Sequence, residues 1–265
     1  MKAYWLTDIH LNFLKSEEIY LFFKKINESR PDIILITGDI GESNSIIHYL
    51  QMFEEHFDIP IYFVLGNHDY YHGSISQVNN EIKTFTINSS NLHWLDNSNI
   101  IKLSENTSLI GHSSWADGQF GNYNDSNVML NDYVLIDEFK SLSKAERLYK
   151  MRQLAQEAAN HLDKLLSQAL ELSEHIICLT HAPPFKEACW HNGQISNSEW
   201  LPHFSCKAVG DILLKYMSQN KEKQMTVLCG HTHSGGYVNI LDNLSVYTGK
   251  AVYGSPEIQK LLELK

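Results

Sequence analysis

Five short polar clusters in the chain carry side chains of the kinds that bind metal ions: Asp8-Ile9-His10, Gly38-Asp39, Gly66-Asn67-His68-Asp69, Thr180-His181 and Gly230-His231-Thr232-His233. They combine carboxylate oxygens, an amide oxygen and several imidazoles, with no thiolate. That mixture suits Mn, Fe, Zn or Co better than a soft-metal site or an all-oxygen calcium site. In Asp8-x-His10 and His231-x-His233 the alternation places both side chains of a pair on one side of an extended backbone, because the side-chain period there is two. Each pair can therefore grip one ion. Taken alone, an Asp-x-His reads as a surface loop; the order and company of all five clusters give them weight.

Each cluster follows a short apolar run: Ala3 to Leu6, Ile33 to Thr37, Ile61 to Leu65, Ile176 to Thr180 and Thr226 to Cys229. Runs this continuous indicate strands covered on both faces, as in the buried sheets of α/β proteins. Ligands in such sheets collect beyond the carboxyl ends of the strands, so the clusters can meet in one crevice. Ser16 is expected to cap a helix with Glu17 and Glu18 in its first turn and Ile19, Phe22, Phe23 and Ile26 on its apolar face. Residues 45–57 read as a second helix. Strand and helix alternate through the first 65 residues, which implies right-handed crossovers and a sheet that is at least partly parallel. Short segments follow near 92–95, 100–103 and 108–110, and then a Gly/Asn/Asp-rich stretch from Gly111 to Asn131 reads as a long surface loop. Trp115, Asp117, Asn122 and Tyr123 are its candidates for lining the mouth of a site, against the alternative of a solvated loop with one packed aromatic. A capping box, Ser143-Lys-Ala-Glu146, opens a long helix with an apolar stripe at Met151, Ala155, Ala158, Leu162, Leu165, Ala169 and Leu172. Residues 237–241 and 244–248 resemble a hairpin around Asp242-Asn243. No linker, repeat or low-complexity segment divides the chain, so residues 1–265 read as one domain.

Present together, in this order and at strand ends, the clusters resemble the calcineurin-like metallophosphoesterase family, the similarity running from residue 8 to 233. The resemblance implies two packed mixed β-sheets flanked by helices, an α/β/β/α sandwich. It also implies that Asp8, His10, Asp39 and His233 surround one metal, that Asp39 bridges to a second, and that Asn67, His181 and His231 complete the second. His68 is implied as the group that protonates the leaving oxygen. Two cations ~3.5–4 Å apart can neutralise a phosphate ester, lower the pKa of a bridging water and hold it in line with the leaving group. A bridge of this kind needs a carboxylate with both oxygens free. An imidazole with a pKa near ~6.5 can supply a proton at neutral pH, with Asp69 or another carboxylate to orient it. The Ser/Thr protein phosphatase branch carries arginines where this chain has Ser43 and Leu65, which argues against that branch, and the segments Gly111-His-Ser-Ser-Trp-Ala-Asp-Gly118 and His181-Ala-Pro-Pro-Phe185 resemble a bacterial-type subset of the family.

Composition narrows the rest. Among 265 residues, 31 Asp and Glu outnumber 21 Lys and Arg, for a formal charge of -10. That is the wrong sign for counterion-driven binding to nucleic acid. Arginine occurs only at positions 30, 147 and 152, which leaves few guanidinium forks for holding a phosphate. The amino terminus has an acid at position 8 and no long apolar stretch, so no signal peptide and no membrane span are expected, and the expected location is cytoplasmic. Cys178, Cys189, Cys206 and Cys229 include no Cys-x-x-Cys, so a disulfide framework is not expected. Cys189, His191, His203 and Cys206 contain zinc-type ligands at a spacing that matches no established zinc pattern. The leading expectation is a dinuclear metal-dependent hydrolase of small-molecule phosphate esters, monoester or diester, acting through metal-activated hydroxide. A nucleotide or nucleic-acid phosphodiesterase is the first alternative, and a noncatalytic protein-binding scaffold on the same fold is the second.

Overall fold

Strands apolar on both faces need a cover on both faces, and the chain supplies it in four layers. The computed structural model describes residues 1–264. One sheet holds β1 (Lys2–Leu6), β2 (Ile33–Thr37), β3 (Ile61–Val64) and β4 (Leu92–Trp94), all parallel. The next strands are β5 (Ile101–Lys102), β6 (Thr107–His112) and β7 (His175–Thr180), followed by a separate short pair, β8 (Trp190–His191) and β9 (Gln194–Ile195). Then come β10 (Gln224–Cys229), β11 (Gly236–Leu241) and β12 (Leu244–Thr248), after which β13 (Lys260–Glu263) returns antiparallel to β1. The spatial orders are β13-β1-β2-β3-β4 and β11-β12-β10-β7-β6-β5. Within the second sheet β6, β7, β10 and β12 run parallel, with β5 and β11 as antiparallel edges.

Alternation along each strand divides the core. From β1, Ala3 and Trp5 point between the sheets and meet Leu109, Ile177, Leu179 and Leu228 of the opposing sheet. Tyr4 and Leu6 point outward, under α1 (Ser16–Glu28), α2 (Ile46–His56) and α3 (Ile75–Thr86). On the far side, Ile176, Cys178, Met225 and Val227 pack beneath α5 (Lys144–Leu172) and α7 (Lys207–Gln219), with the single-turn α4 (Asp132–Leu135) and α6 (Leu201–Phe204) in the connecting segments. The fold is thus two mixed sheets flanked by helices, as the resemblance implies. The hairpin at 237–248 forms as read, with β11 antiparallel to β12.

Three local readings change. Lys15, not Ser16, is the N-cap of α1, and the Glu18 carboxylate accepts the Lys15 backbone N–H at 2.7 Å. Leu172, the last residue of α5, lies outside its buried stripe and is exposed. The stretch 111–131 divides in two: 111–118 is largely buried, with Trp115 lining a small cavity beside Asn67, His181 and His231, while 119–131 runs mostly exposed over the surface. Trp115 stacks on Phe139 at 5.4 Å, and Tyr123 is buried with its hydroxyl donating to the Lys144 carbonyl. Buried Asp117 accepts the N–H groups of Gln119 and Ala208, while exposed Asn122 bonds Asp125. Polar groups in the buried part of the stretch hold irregular backbone in place, which burial of such backbone requires.

Candidate metal centre

Every cluster lies just beyond the carboxyl end of a strand: Asp8 and His10 after β1, Asp39 after β2, Asn67 and His68 after β3, His181 after β7, and His231 and His233 after β10. The first three connections come from one sheet and the last two from the other, so the crevice lies across the shared edge of the sandwich. Backbone hydrogen bonds lace the loops together, Asp8 N–H to Gly38 O, His10 N–H to Asp39 O and Gly230 N–H to His181 O. Five of the seven expected ligands, Asp8, His10, Asp39, His231 and His233, have positive φ, which non-glycine residues rarely adopt. Such strain persists where surrounding structure over-determines it, and it concentrates at functional sites. Gly66 is required by proximity, since a Cβ there would collide with Asp39 Oδ1.

The seven side chains form two groups that share Asp39. In the first, Asp8, His10, Asp39 and His233 each offer a ligand atom within 4.8 Å of the others. His10 Nε2 lies 3.1 Å from His233 Nε2 and 3.8 Å from Asp39 Oδ2, and His233 Nε2 lies 3.3 Å from Asp8 Oδ1. In the second, Asn67 Oδ1 lies 2.9 Å from both His181 Nε2 and His231 Nδ1, and Asp39 Oδ1 lies 3.5 Å from His181 Nε2.

Proton positions in the second group follow from its outer partners. His181 Nδ1 lies 2.8 Å from the Thr37 carbonyl oxygen, which can only accept, so Nδ1 carries the proton and Nε2 presents a lone pair. His231 Nε2 faces the His203 carbonyl at 3.3 Å, which leaves its Nδ1 as the lone pair. Asn67 Nδ2 donates to Asp132 Oδ1 at 2.8 Å and to the Tyr71 hydroxyl at 3.2 Å, turning Oδ1 toward the imidazoles. Acceptors therefore face acceptors with no hydrogen between them, an arrangement that becomes attractive when a cation occupies the middle. Ligating histidines held by a second N–H to a carbonyl are the usual outer shell of a metal. Asp39 Oδ2 is buried without any hydrogen-bond donor, as expected of an oxygen aimed at a cation. The donor set thus fits two metal ions.

Electrostatics point the same way. Burial, and then the charges of Asp8 and Asp69, push Asp39 well above the ordinary carboxylate range. Burial drives His10 and His231 down to about 3. A charged Asp39 is expensive here without compensation, whereas burial of Asp8 is outweighed by the hydrogen bond to His233 and the surrounding imidazoles, which hold it below its ordinary range, and neutral imidazoles are ready to bind a cation.

His68 stacks on Tyr71 at 4.2 Å, with its ring 4.6 Å from His10. Burial, with His10 and His233 beside it, lowers its pKa to about 2. Asp69 does not orient it. That carboxylate instead accepts the backbone N–H groups of Asp39, Ile40, Gly41 and Gly66, tying the loop after β2 to the loop after β3. Nor do the zinc-type residues of the 189–206 segment converge. Cys189 donates to Ser196, His203 is held by Tyr133 and Ser126, and His191 packs against the stacked rings of Trp200 and Phe204, while Cys206 is buried at the start of α7. Two residues absent from the sequence reading complete the site. Asp132 and Tyr71 fix the Asn67 amide, and Asp132 follows Asn67 by 65 residues with no motif around it.

The family of calcineurin-like phosphoesterases matches residues 1–235. An uncharacterized metallophosphoesterase of Campylobacter jejuni is 30% identical over 109 residues, 38% of this chain and 26% of that relative, so the matched stretch spans about a quarter of its length. Among solved structures, a phosphopantetheinyl hydrolase from Mycobacterium tuberculosis superposes with a TM-score of 0.66 at 13% identity, over 95% of this chain and 89% of that one. A dimetal phosphatase from Danio rerio gives 0.58 at 14% identity, over 97% and 89%. These two likenesses concern the fold. With the family match running across all five clusters, the chain belongs to the calcineurin-like phosphoesterase family.

Proposed function

We propose that the protein is a dinuclear metal-dependent hydrolase of small-molecule phosphate esters. Asp8, His10, Asp39 and His233 would hold one ion and Asn67, His181 and His231 the other, with Asp39 placed to be shared between them. The observation that supports this most directly is the division of Asp39: Oδ1 faces His181 at 3.5 Å, while Oδ2 faces His10 at 3.8 Å and has no donor. When bound, such a metal pair supplies positive charge for the phosphate oxygens and a nucleophile at neutral pH. The oxygen and nitrogen donors suit Mn, Fe, Zn or Co, manganese among them.

The chain's own residues do the remainder. Thr37 and His203 carbonyls fix the histidine tautomers, and Asp132 aims the Asn67 oxygen. His68, partly exposed beside His10, delivers a proton to the leaving oxygen. Its low pKa reflects burial first and the neighbouring imidazoles second, and the negative charge of a bound ester opposes that shift. Four free buried cysteines accord with a cytoplasmic setting, and no helix among the described residues is long and apolar enough to cross a membrane. A scaffold would have no use for seven matched donors, and the net charge of -10 weighs against a nucleic-acid substrate.

Metal content and turnover test the reading together. The purified protein is expected to hold two ions per chain and to hydrolyse a chromogenic monoester or its diester, whichever is the better substrate. Asp39→Asn is expected to lose at least one ion and to slow turnover by at least about 100-fold. Full metal content with full activity in that variant would sink the bridging role.

A further inference from the structure

Two exposed aromatic rings from opposite ends of the chain meet at the rim of the metal centre. Tyr253, in the segment between β12 and β13, has its ring 4.7 Å from His10, 5.1 Å from His233 and 6.1 Å from His68. Phe13, three residues after His10, lies 4.7 Å from Tyr253 and 6.0 Å from His10. Tyr253 is 47% exposed and Phe13 51% exposed, so each packs one side against the site and turns the other to solvent.

This placement is built. Residues 249–259 form no helix or strand, yet the Gln259 amide accepts the Lys250 N–H at 2.9 Å and donates to the Lys250 carbonyl at 2.8 Å. Lys250 and Glu257 pair at 2.9 Å, and the Ala251 N–H reaches the His233 carbonyl, coupling the segment to a proposed ligand. The family match ends at residue 235, so the stretch that carries Tyr253 lies outside it.

A phosphate ester has a charged head and an organic remainder. With the head at the acidic and imidazole cluster, the remainder leaving toward solvent passes the open faces of Tyr253 and Phe13. A planar ring gains there from offset or edge-to-face contact, and a small aliphatic group does not. We infer that Tyr253 and Phe13 form an aromatic rest selecting phosphate esters that carry a planar ring, aryl or nucleobase. This rests on the phosphoesterase reading above and names the substrate class of the same site.

Calorimetric titration of the metal-loaded protein with phenylphosphonate and methylphosphonate tests it, since the two share a head group and have no ester bond to cleave. Phenylphosphonate is expected to bind about ten-fold more tightly, the gap an aromatic pair provides. In Tyr253→Ala that gap is expected to close, with metal content and circular dichroism confirming an intact protein, while Tyr253→Phe retains it. A steady-state arm compares KM for phenyl phosphate, a nucleoside monophosphate and glycerol phosphate, and the lower of the first two identifies the ring. Equal phosphonate affinities in the unsubstituted protein, or equal weakening of both ligands in Tyr253→Ala, would overturn the inference while ester turnover still upholds the phosphoesterase reading. If the metal-loaded protein neither binds a phosphonate nor cleaves an ester, both fail.

Discussion

At the scale of single residues, the centre works by denying two of its ligand oxygens ordinary partners. Asp39 Oδ2 has no donor, and Asn67 Oδ1 faces two imidazole lone pairs. The Asn67 amide would turn to pair with a donor if Asp132 did not hold its nitrogen end. Asp132→Ala is therefore expected to weaken metal affinity by about 10- to 100-fold, the usual effect of losing an outer-shell partner, read by competition with a chromogenic chelator. Unchanged affinity would mean that something else orients Asn67. For His68 the expectation is the reverse pairing of effects: His68→Ala keeps both ions and lowers kcat by about 10²- to 10⁴-fold, the range for a general acid. Metal loss in that variant, or undiminished kcat, would remove the assigned role. The five clusters were legible because their residue types are distinctive. Tyr71, Asp132 and Tyr253 were not, since an isolated Tyr or Asp has no local signature and acquires its role through side-chain neighbours 60 or more residues away.

At the scale of elements, strand and helix identities followed from hydrophobic patterning, while their ends were set by partners from elsewhere. The start of α3 shows this. Glu138, 63 residues after Ile75, accepts the N–H groups of Ile75 and Ser76 and the Ser74 hydroxyl. Burial opposes its charge, but those hydrogen bonds prevail and hold its pKa below the ordinary value. The folded protein thus binds fewer protons here than the unfolded chain, so this stabilisation is full above the ordinary glutamate pKa of ~4.5 and is lost as pH falls through and below it. Thermal melts of the parent and Glu138→Gln are expected to differ at pH 7 and to converge toward pH 3. A constant difference across that range would show that the charge is irrelevant. The 111–131 stretch was legible only in part for a related reason: Gly, Asn and Asp signal irregular backbone, and they do not distinguish the exposed part, 119–131, from the buried part, 111–118.

At the scale of the molecule, the proposed metals join the two halves of the sandwich, with Asp8, Asp39 and Asn67 on connections of one sheet and His181, His231 and His233 on connections of the other. Ions that bind only the folded state stabilise it by mass action, roughly 2.7 kcal/mol at 100 times the dissociation constant. Chelation is therefore expected to lower Tm by about 5 °C or more, with recovery on adding manganese or zinc and no comparable shift in Asp39→Asn. A single calorimetric transition in both states accords with one domain; two transitions would separate the sheets into independent units. By itself the sequence determined the chemistry available: donor types, their order, their place at strand ends and an acidic chain poor in arginine. Only tertiary structure decided how those donors divide into two sets around Asp39, which outer groups aim them, and which aromatic rings stand beside them. The reason is physical, because strand and ligand types are written in local patterns, whereas orientation is fixed by hydrogen bonds and packing between segments that lie far apart along the chain.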